Sequence, residues 1–309
     1  MLKYSIAVHG GAGTIRKGLL SAEQEMQYTK VLGQALDQGI EVLQDGGTAI
    51  TAVERAVVVM EDSPLFNAGK GSVFNASGLH EMDASIMDGK TLNAGAVSSI
   101  QGIKNPILLA RDVMDQSGHV YLTAQGAMDF AKKLNYELYS PDYFFDEYRH
   151  QQWLAVKGTD HFQLDHSPDI DSKFGTVGAV ACDHQGHVAA ATSTGGLTNK
   201  KYGRVGDTPL IGSGNYANDL SCAISCTGNG EAFIRAVAAY DVACLMEHRG
   251  MSIQEAVEEV IYKRIKKVGG QGGMIGVDAH GEISMIFNTE GMYRACESDH
   301  QKREILIFR

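Results

Sequence analysis

The chain has 309 residues, 44% hydrophobic and 21% charged, with a formal net charge of −10 at pH 7. No apolar run approaches the roughly 20 residues of a membrane span, and the negative balance opposes phosphate backbones, which excludes membrane and nucleic acid as partners. Five cysteines without CxxC spacing read as buried thiols rather than a disulfide frame or zinc site, and the absence of a leader-like start points to a cytoplasmic location.

Residues 4–8 form a short β-prone run ending in the glycines of His9-Gly10-Gly11-Ala12-Gly13, a buried strand followed by a tight loop. Ser21 and Gln24 have capping-box spacing, and Val31, Leu32, Ala35, Leu36, Val42 and Leu43 recur at helical intervals until Gly46-Gly47 stops them. Thr48 is expected to cap a second helix through Met60. A Gly- and Asn-rich loop over 61–78 precedes strands at 79–87 and 94–100 and helices at 106–114 and 124–134. No period holds over 135–173, although aromatic residues between Tyr136 and Tyr148 imply that its first half packs, and 158–175 reads as a mobile loop. Strands at 176–182 and 187–193 flank a turn, and a further strand covers 219–227. One long helix is expected over 230–248, and Ser252 with Glu255 opens another that ends at Gly269-Gly270. A last hairpin joins 274–277 to 283–287. Hairpins in two blocks, each with a helix pair, imply antiparallel sheets covered by helices rather than a βαβ series. With only 5 prolines and no linker-like stretch, residues 1–309 read as one domain.

Several chemistries drop out. The HGGAG segment could be the oxyanion loop of an α/β-hydrolase, but the chain has no G-x-S-x-G elbow. Gly212, Gly214 and Ala217 spell a dinucleotide-type motif that leads into a strand instead of a helix. Lys70 in Asn67-Ala68-Gly69-Lys70-Gly71-Ser72 is followed by glycine where a phosphate loop needs Ser or Thr. The 11 histidines contain no H-x-x-x-H pair and read as surface or core residues, not metal ligands.

What remains is a concentration of Thr, Ser and Gly at 175–178, 191–196 and 226–231, which taken alone is no more than threonine in strands. Together with HGGAG (9–13), FNAGKGSVFN (66–75), EMDASIMDG (81–89), GAVSS (95–99), GTVGAVA (175–181), ATSTGG (191–196), GRVGDTP (203–209) and NTEGMYRA (288–295), it resembles the plant-type L-asparaginase and isoaspartyl aminopeptidase family of N-terminal-nucleophile (Ntn) hydrolases. The resemblance covers nearly the whole chain except 135–173.

The resemblance implies a four-layer αββα sandwich of two mainly antiparallel sheets covered by helices. It also implies self-cleavage between Gly175 and Thr176 into an α part (1–175) and a β part (176–309). A threonine hydroxyl is a poor nucleophile at neutral pH, and cleavage frees an α-amino group, of reference pKa about 7.7–8.0, to serve as its base. Gly175, lacking Cβ, is suited to expose its carbonyl to the Thr176 hydroxyl. By the same resemblance Thr194 supports the nucleophile, Asn67 holds its surroundings, and the Thr227 hydroxyl and Gly228 N–H form an oxyanion hole. Arg204 and Asp207, with Thr227, Gly228 and Gly230, would bind the substrate, a β-aspartyl dipeptide or L-asparagine. Main-chain carbonyls of Glu61, Phe66 and Ala68 would hold a structural sodium ion; no organic cofactor is implied, and the assembly would be a dimer of αβ units. Two alternatives stand beside this reading: a glycosylasparaginase-like hydrolase, and an uncleaved homologue that binds an amino acid through Arg204 and Asp207.

Overall fold

Strands built from Val, Ile, Ala and small polar residues are apolar on both faces, so a sheet made of them needs a cover on each side. The computed structural model describes residues 4–159 and 175–309 and meets that need with four layers. Its strands are β1 (Ser5–Gly13), β2 (Met82–Asp88), β3 (Ala94–Ile100), β4 (Tyr121–Thr123), β5 (Val177–Cys182), β6 (Val188–Thr194), β7 (Asn215–Ala217), β8 (Cys222–Gly228), β9 (Gly272–Asp278), β10 (Ile283–Phe287), β11 (Gly291–Ser298) and β12 (Glu304–Phe308). Its helices are α1 (Ala22–Gln44), α2 (Ala49–Glu61), α3 (Pro106–Gln116), α4 (Ala124–Lys133), α5 (Pro141–Phe144), α6 (Glu147–Val156), α7 (Gly230–Ala236), α8 (Ala238–Arg249) and α9 (Ile253–Glu259).

Among the described residues one sheet runs β12-β11-β1-β5-β6-β2-β3-β4 and the other β10-β9-β8-β7. Every pairing is antiparallel except β3 with β4. The two sheets face each other, α1 to α4 cover the outer face of the larger, and α7 to α9 cover that of the smaller. Alternation along a strand assigns each side chain to a layer. Val177, Ala179 and Ala181 of β5 face the helices, while Val180 and Cys182 face the layer between the sheets. The expected αββα architecture is therefore the observed one, with strands from both sides of Thr176 interleaved in the larger sheet.

Several local expectations are corrected. The HGGAG segment is not a loop after a strand but the second half of β1. It is paired through Ala12 with Met292 and Gly13 with Gly291 across a bulge that follows His9. Strands β11 and β12, and the short β4 and β7, carry too little pattern to stand out in the sequence. The aperiodic stretch after 135 holds α5 and α6, whose Phe144 and Trp153 are buried near Phe74 and His80. Most of the loop read at 158–175 lies outside the described residues.

The single helix expected over 230–248 is two. Val237 sits in the left-handed region at φ 49°, because the loop at 212–213 supplies the carbonyls that a continuous helix would otherwise provide. Tyr240 N–H donates to Gly212 at 2.8 Å and Ala239 N–H to Ser213 at 3.3 Å.

Thr48 does not cap α2 with its side chain. The carboxylate of Asp183, from the β5–β6 turn, accepts from Ala49 N–H at 3.1 Å through Oδ2, and its Oδ1 accepts from Gln185 N–H at 2.9 Å and His187 N–H at 3.1 Å. One buried carboxylate thus shapes the hairpin and starts the helix lying on it, with the helix dipole favouring its charge. Asp183→Ala should therefore lower stability by about 2–3 kcal/mol, for a lost cap plus charge-assisted hydrogen bonds. Thr48→Ala should cost no more than about 0.5 kcal/mol; urea unfolding midpoints of the two variants check the order.

Candidate active site

The alternation that builds the core also delivers the threonines. Val180, Ala190 and Ala223 face the layer between the sheets, so Thr176, Thr194 and Thr227, each four residues away along its own chain segment, project toward the same layer. There Thr176 Oγ1 donates to Thr194 Oγ1 at 3.1 Å, and Thr194 Oγ1 also accepts from Gly196 N–H at 3.1 Å. Thr194 is thereby locked by its own turn and presents its oxygen to Thr176.

Asn67 holds that turn from the other side. Its carbonyl accepts from Gly195 N–H at 2.8 Å, its Nδ2 donates to the Gly196 carbonyl at 2.7 Å, and its Oδ1 accepts from Val73 N–H at 3.0 Å. A Cβ on Gly195 would lie 2.3 Å from Asn67 Oδ1, so the two segments meet only because position 195 is glycine. Asn67 acts on Thr176 through the 194–196 turn.

One pocket is lined by Asn67, Gly175, Thr176, Thr194, Arg204, Asp207, Thr227 and Gly228, together with Ala12, Gly196, Leu197, Gly206 and Thr208. Gly228 has φ 144°, and a Cβ there would meet the Gln271 carbonyl at 2.3 Å, so only glycine can bring the main chain through at this point. Gly230 stands just behind the pocket, where a Cβ would lie 2.8 Å from Arg204 Nη2 and 3.0 Å from Asp207 Oδ1. Of the predicted site residues, Glu61, Phe66 and Ala68 do not line the pocket; Glu61 ends α2, and Phe66 and Ala68 flank Asn67 in the loop that follows it. The Glu61 carboxyl is fully buried, accepting from Ser193 Oγ at 2.6 Å and Ile107 N–H at 3.0 Å. Burial pushes its pKa up to about 8 against those hydrogen bonds.

The electrostatics of the pocket differ from a simple Arg204–Asp207 pair. Arg204 is engaged by Glu231, with Nε donating to Oε1 at 2.9 Å and Nη2 to Oε2 at 3.0 Å. Burial would raise the Glu231 pKa, but the hydrogen bonds and charge of Arg204 outweigh it and hold the carboxyl below its ordinary value. A bidentate contact on the Nε edge leaves Nη1 and the outer Nη2 proton for a ligand carboxylate. Asp207 is buried, and its Oδ2 has no hydrogen-bond partner among the described residues. Burial pushes its pKa up to about 7, against the lowering influence of Arg204. A buried, unmatched acceptor in a pocket calls for a donor from the ligand, and an ammonium fits best. Sequence reading missed Glu231, whose only signal is an acidic residue in the first turn of a helix, a position the helix dipole explains equally well.

Comparison with known proteins gives a family match. The family model described as Asparaginase matches residues 2–307. The isoaspartyl peptidase of Escherichia coli K12 is 49% identical over 298 residues, covering 96% of this chain and 93% of its own. The plant-type L-asparaginase of Thermococcus kodakarensis is 44% identical over 308 residues, covering 96% of each. The isoaspartyl peptidase/L-asparaginase of Xenopus laevis is 44% identical over 301 residues, covering 97% and 94%.

Because the Asp207 carboxyl titrates near neutrality, its charge is present above a pH of about 7 and lost as pH falls through it. Affinity for a zwitterionic amino acid, measured by calorimetry, should drop as pH is lowered across that range, with the complex titrating lower because the bound ammonium favours the carboxylate. Asp207→Asn should bind about 10- to 100-fold more weakly at pH 8, the weight of a charge-assisted hydrogen bond, and its affinity should be flat across the same interval.

Proposed function

The chain belongs to the asparaginase family of Ntn hydrolases, and on that premise we propose that it hydrolyses β-aspartyl dipeptides and L-asparagine with Thr176 as nucleophile, after cutting itself between Gly175 and Thr176. The observation that carries the reading is the meeting in one pocket of the Thr176 hydroxyl, 3.1 Å from Thr194, with a guanidinium and an unmatched buried carboxylate. Those two charges suit the α-carboxylate and α-ammonium of an aspartyl group whose side-chain carbonyl is to be attacked.

In self-cleavage the Thr176 hydroxyl adds to the Gly175 carbonyl and the acyl group shifts from nitrogen to oxygen. Water then hydrolyses the ester, leaving a Gly175 carboxylate and a free Thr176 amine. In turnover that amine takes the hydroxyl proton as Oγ attacks the substrate amide. The oxyanion is received by the Thr227 hydroxyl and the Gly228 N–H, preorganised donors whose removal costs about 10²–10³ in rate. The amine passes the proton to the departing ammonia or amino acid, and an aspartyl ester remains on Thr176. Water activated by the same amine hydrolyses it, releasing L-aspartate.

The reading extends to a structural cation in the loop that follows α2. A Cβ on Gly69 would lie 2.4 Å from the Glu61 carbonyl, and one on Gly71 would lie 2.0 Å from the Phe66 carbonyl and 2.7 Å from that of Pro64. The loop is therefore wound tightly around its own carbonyls, hard oxygen donors suited to such an ion. Glu61, Phe66 and Ala68 would hold sodium, which stiffens the segment carrying Asn67 and takes no part in the reaction. A dimer of αβ units completes the proposal, and five free cysteines suit a reducing, cytoplasmic setting.

Thr176→Ala should remain a single band on a denaturing gel and hydrolyse neither substrate; a processed or active variant would assign the work to another residue. As pH falls below the amine's pKa, Thr176 becomes an ammonium that cannot accept the hydroxyl proton. The kcat/KM of the processed enzyme should then fall about tenfold per unit from that group alone, and Asp207→Asn should keep this limb while losing the additional dependence in KM.

A further inference from the structure

Gly228 is followed by Asn229, the residue that precedes α7, a position where asparagine ordinarily caps its own helix with its side chain. In this chain it forms no such cap. Asn229 Oδ1 accepts instead from Gln271 N–H at 2.7 Å, while Asn229 N–H donates to the Gln271 carbonyl at 2.9 Å. A second asparagine brackets the next residue of the same turn in the same way. Asn288 Oδ1 accepts from Gly272 N–H at 2.8 Å, and Asn288 N–H donates to the Gly272 carbonyl at 3.0 Å. Its Nδ2 donates to the carbonyls of Gly270 at 3.3 Å and Ile261 at 3.4 Å. In both pairs the side-chain atom that faces an N–H is the amide oxygen, because only that end accepts.

The turn held by the two asparagines lies directly against Gly228, whose partner across the β8–β9 ladder is Gly272. A Cβ on Gly272 would lie 2.2 Å from the Thr227 carbonyl and 2.9 Å from Gly228 Cα, and one on Gly228 would lie 2.3 Å from the Gln271 carbonyl. Main chain therefore rests on main chain, and neither glycine admits a side chain. The peptide between Thr227 and Gly228, which carries the Gly228 N–H, has its carbonyl against Gly272. The following peptide, between Gly228 and Asn229, is tied to Gln271. Residues 271 and 272 thus hold the peptides on both sides of Gly228, and glycine is the residue least able to hold a conformation by itself.

We propose that Asn229 is a positioning residue for the oxyanion hole: with Asn288 it holds the turn at 270–272 against Gly228, and that turn fixes the direction in which the Gly228 N–H points. The proposal rests on the reading of the Gly228 N–H as an oxyanion donor and deepens it. A donor aimed in advance at the developing oxyanion stabilises the transition state without reorganising, so the effect belongs in kcat. Arg204 and Asp207 grip the other end of the substrate, so KM should not follow.

Steady-state kinetics on the processed fractions of Asn229→Ala, Asn229→Asp and Asn288→Ala, with L-asparagine and a β-aspartyl dipeptide, test it. Asn229→Ala should lower kcat about 10- to 100-fold, no more than the roughly 10²–10³ of removing a donor outright, with KM within about twofold. Asn229→Asp keeps an oxygen for the Gln271 N–H, the one side-chain hydrogen bond of Asn229 among the described residues, and should stay within about fivefold of the parent. Asn288→Ala should lower kcat with KM unchanged. Asn229 is half-buried and its main-chain bond to Gln271 survives substitution, so the two Asn229 variants serve alone if Asn288→Ala does not fold. An unchanged kcat in Asn229→Ala or in folded Asn288→Ala, or equal losses in Asn229→Ala and Asn229→Asp, overturns the proposal. So does a loss carried by KM, which would place Asn229 with α7 and the Glu231–Arg204 contact instead. A Thr227→Val enzyme with the parent kcat overturns the oxyanion reading beneath it, a distinct result.

Discussion

Two sheets packed face to face leave an interior layer with no water to satisfy its polar atoms, and each polar group sent into that layer must find its partner there or at the layer's open end. Most positions in it are apolar or small, such as Ala7, Val180, Ala190, Ala223 and Ile275. The polar exceptions are organised. His9, Thr192, Asn215 and Ser225 bond to one another deep in the layer, with His9 Nδ1 and Asn215 Oδ1 left without partners among the described residues, and Thr176, Thr194 and Thr227 stand where it opens into the pocket. The site is the point at which strand alternation stops producing core and starts producing chemistry.

Rigidity at that point comes from buried side chains that tie main-chain segments together. Asn67 clamps the 194–196 turn with main chain and side chain alike. Glu61 ties Ser193 to the start of α3 on the opposite face of the same strand. Asp183 fastens the far end of the β5–β6 hairpin to α2. Each carries its cost of desolvation, visible in the raised pKa of Glu61, and each is compensated by donors from more than one element. The hairpin bearing Thr176 and Thr194 is held at both ends. Pre-organisation of this kind fixes the Thr176 and Thr194 hydroxyls relative to each other before any ligand arrives.

Charge in the pocket is divided between a satisfied and an unsatisfied partner. Arg204 already has Glu231 on one edge and keeps the other free, which fixes the plane of the guanidinium before a ligand arrives. Asp207 has an empty acceptor and a pKa near neutrality, so its charge is established by the ligand as much as by the protein. Glycines at 206 and 230 keep side-chain bulk away from both groups.

The local patterns read from the sequence survive where they concern a single segment. Capping boxes at Ser21 and Ser252 form as expected, the β5–β6 hairpin lies where its turn residues place it, and the threonine motifs converge because each is an even number of residues from a core position on its strand. What failed depends on partners distant in sequence. Thr48 had the right identity to cap α2, yet Asp183, 135 residues further along the chain, does so because the hairpin turn lies over the helix start. Val237 lies within a helical pattern and breaks it because carbonyls at 212 and 213 compete for its neighbours' N–H groups. The HGGAG segment looked like a loop because glycine is a loop residue by propensity, and it is a strand because β11 pairs with it. Glu231 carries no local mark at all: it looks like a helix-dipole acid. By itself the sequence determined the layers and singled out the threonine segments that meet in the pocket, since alternation and motif are properties of contiguous residues; only the tertiary structure decided which groups satisfy which, because hydrogen bonds in a dry interior are made with whatever the fold brings within about 3 Å.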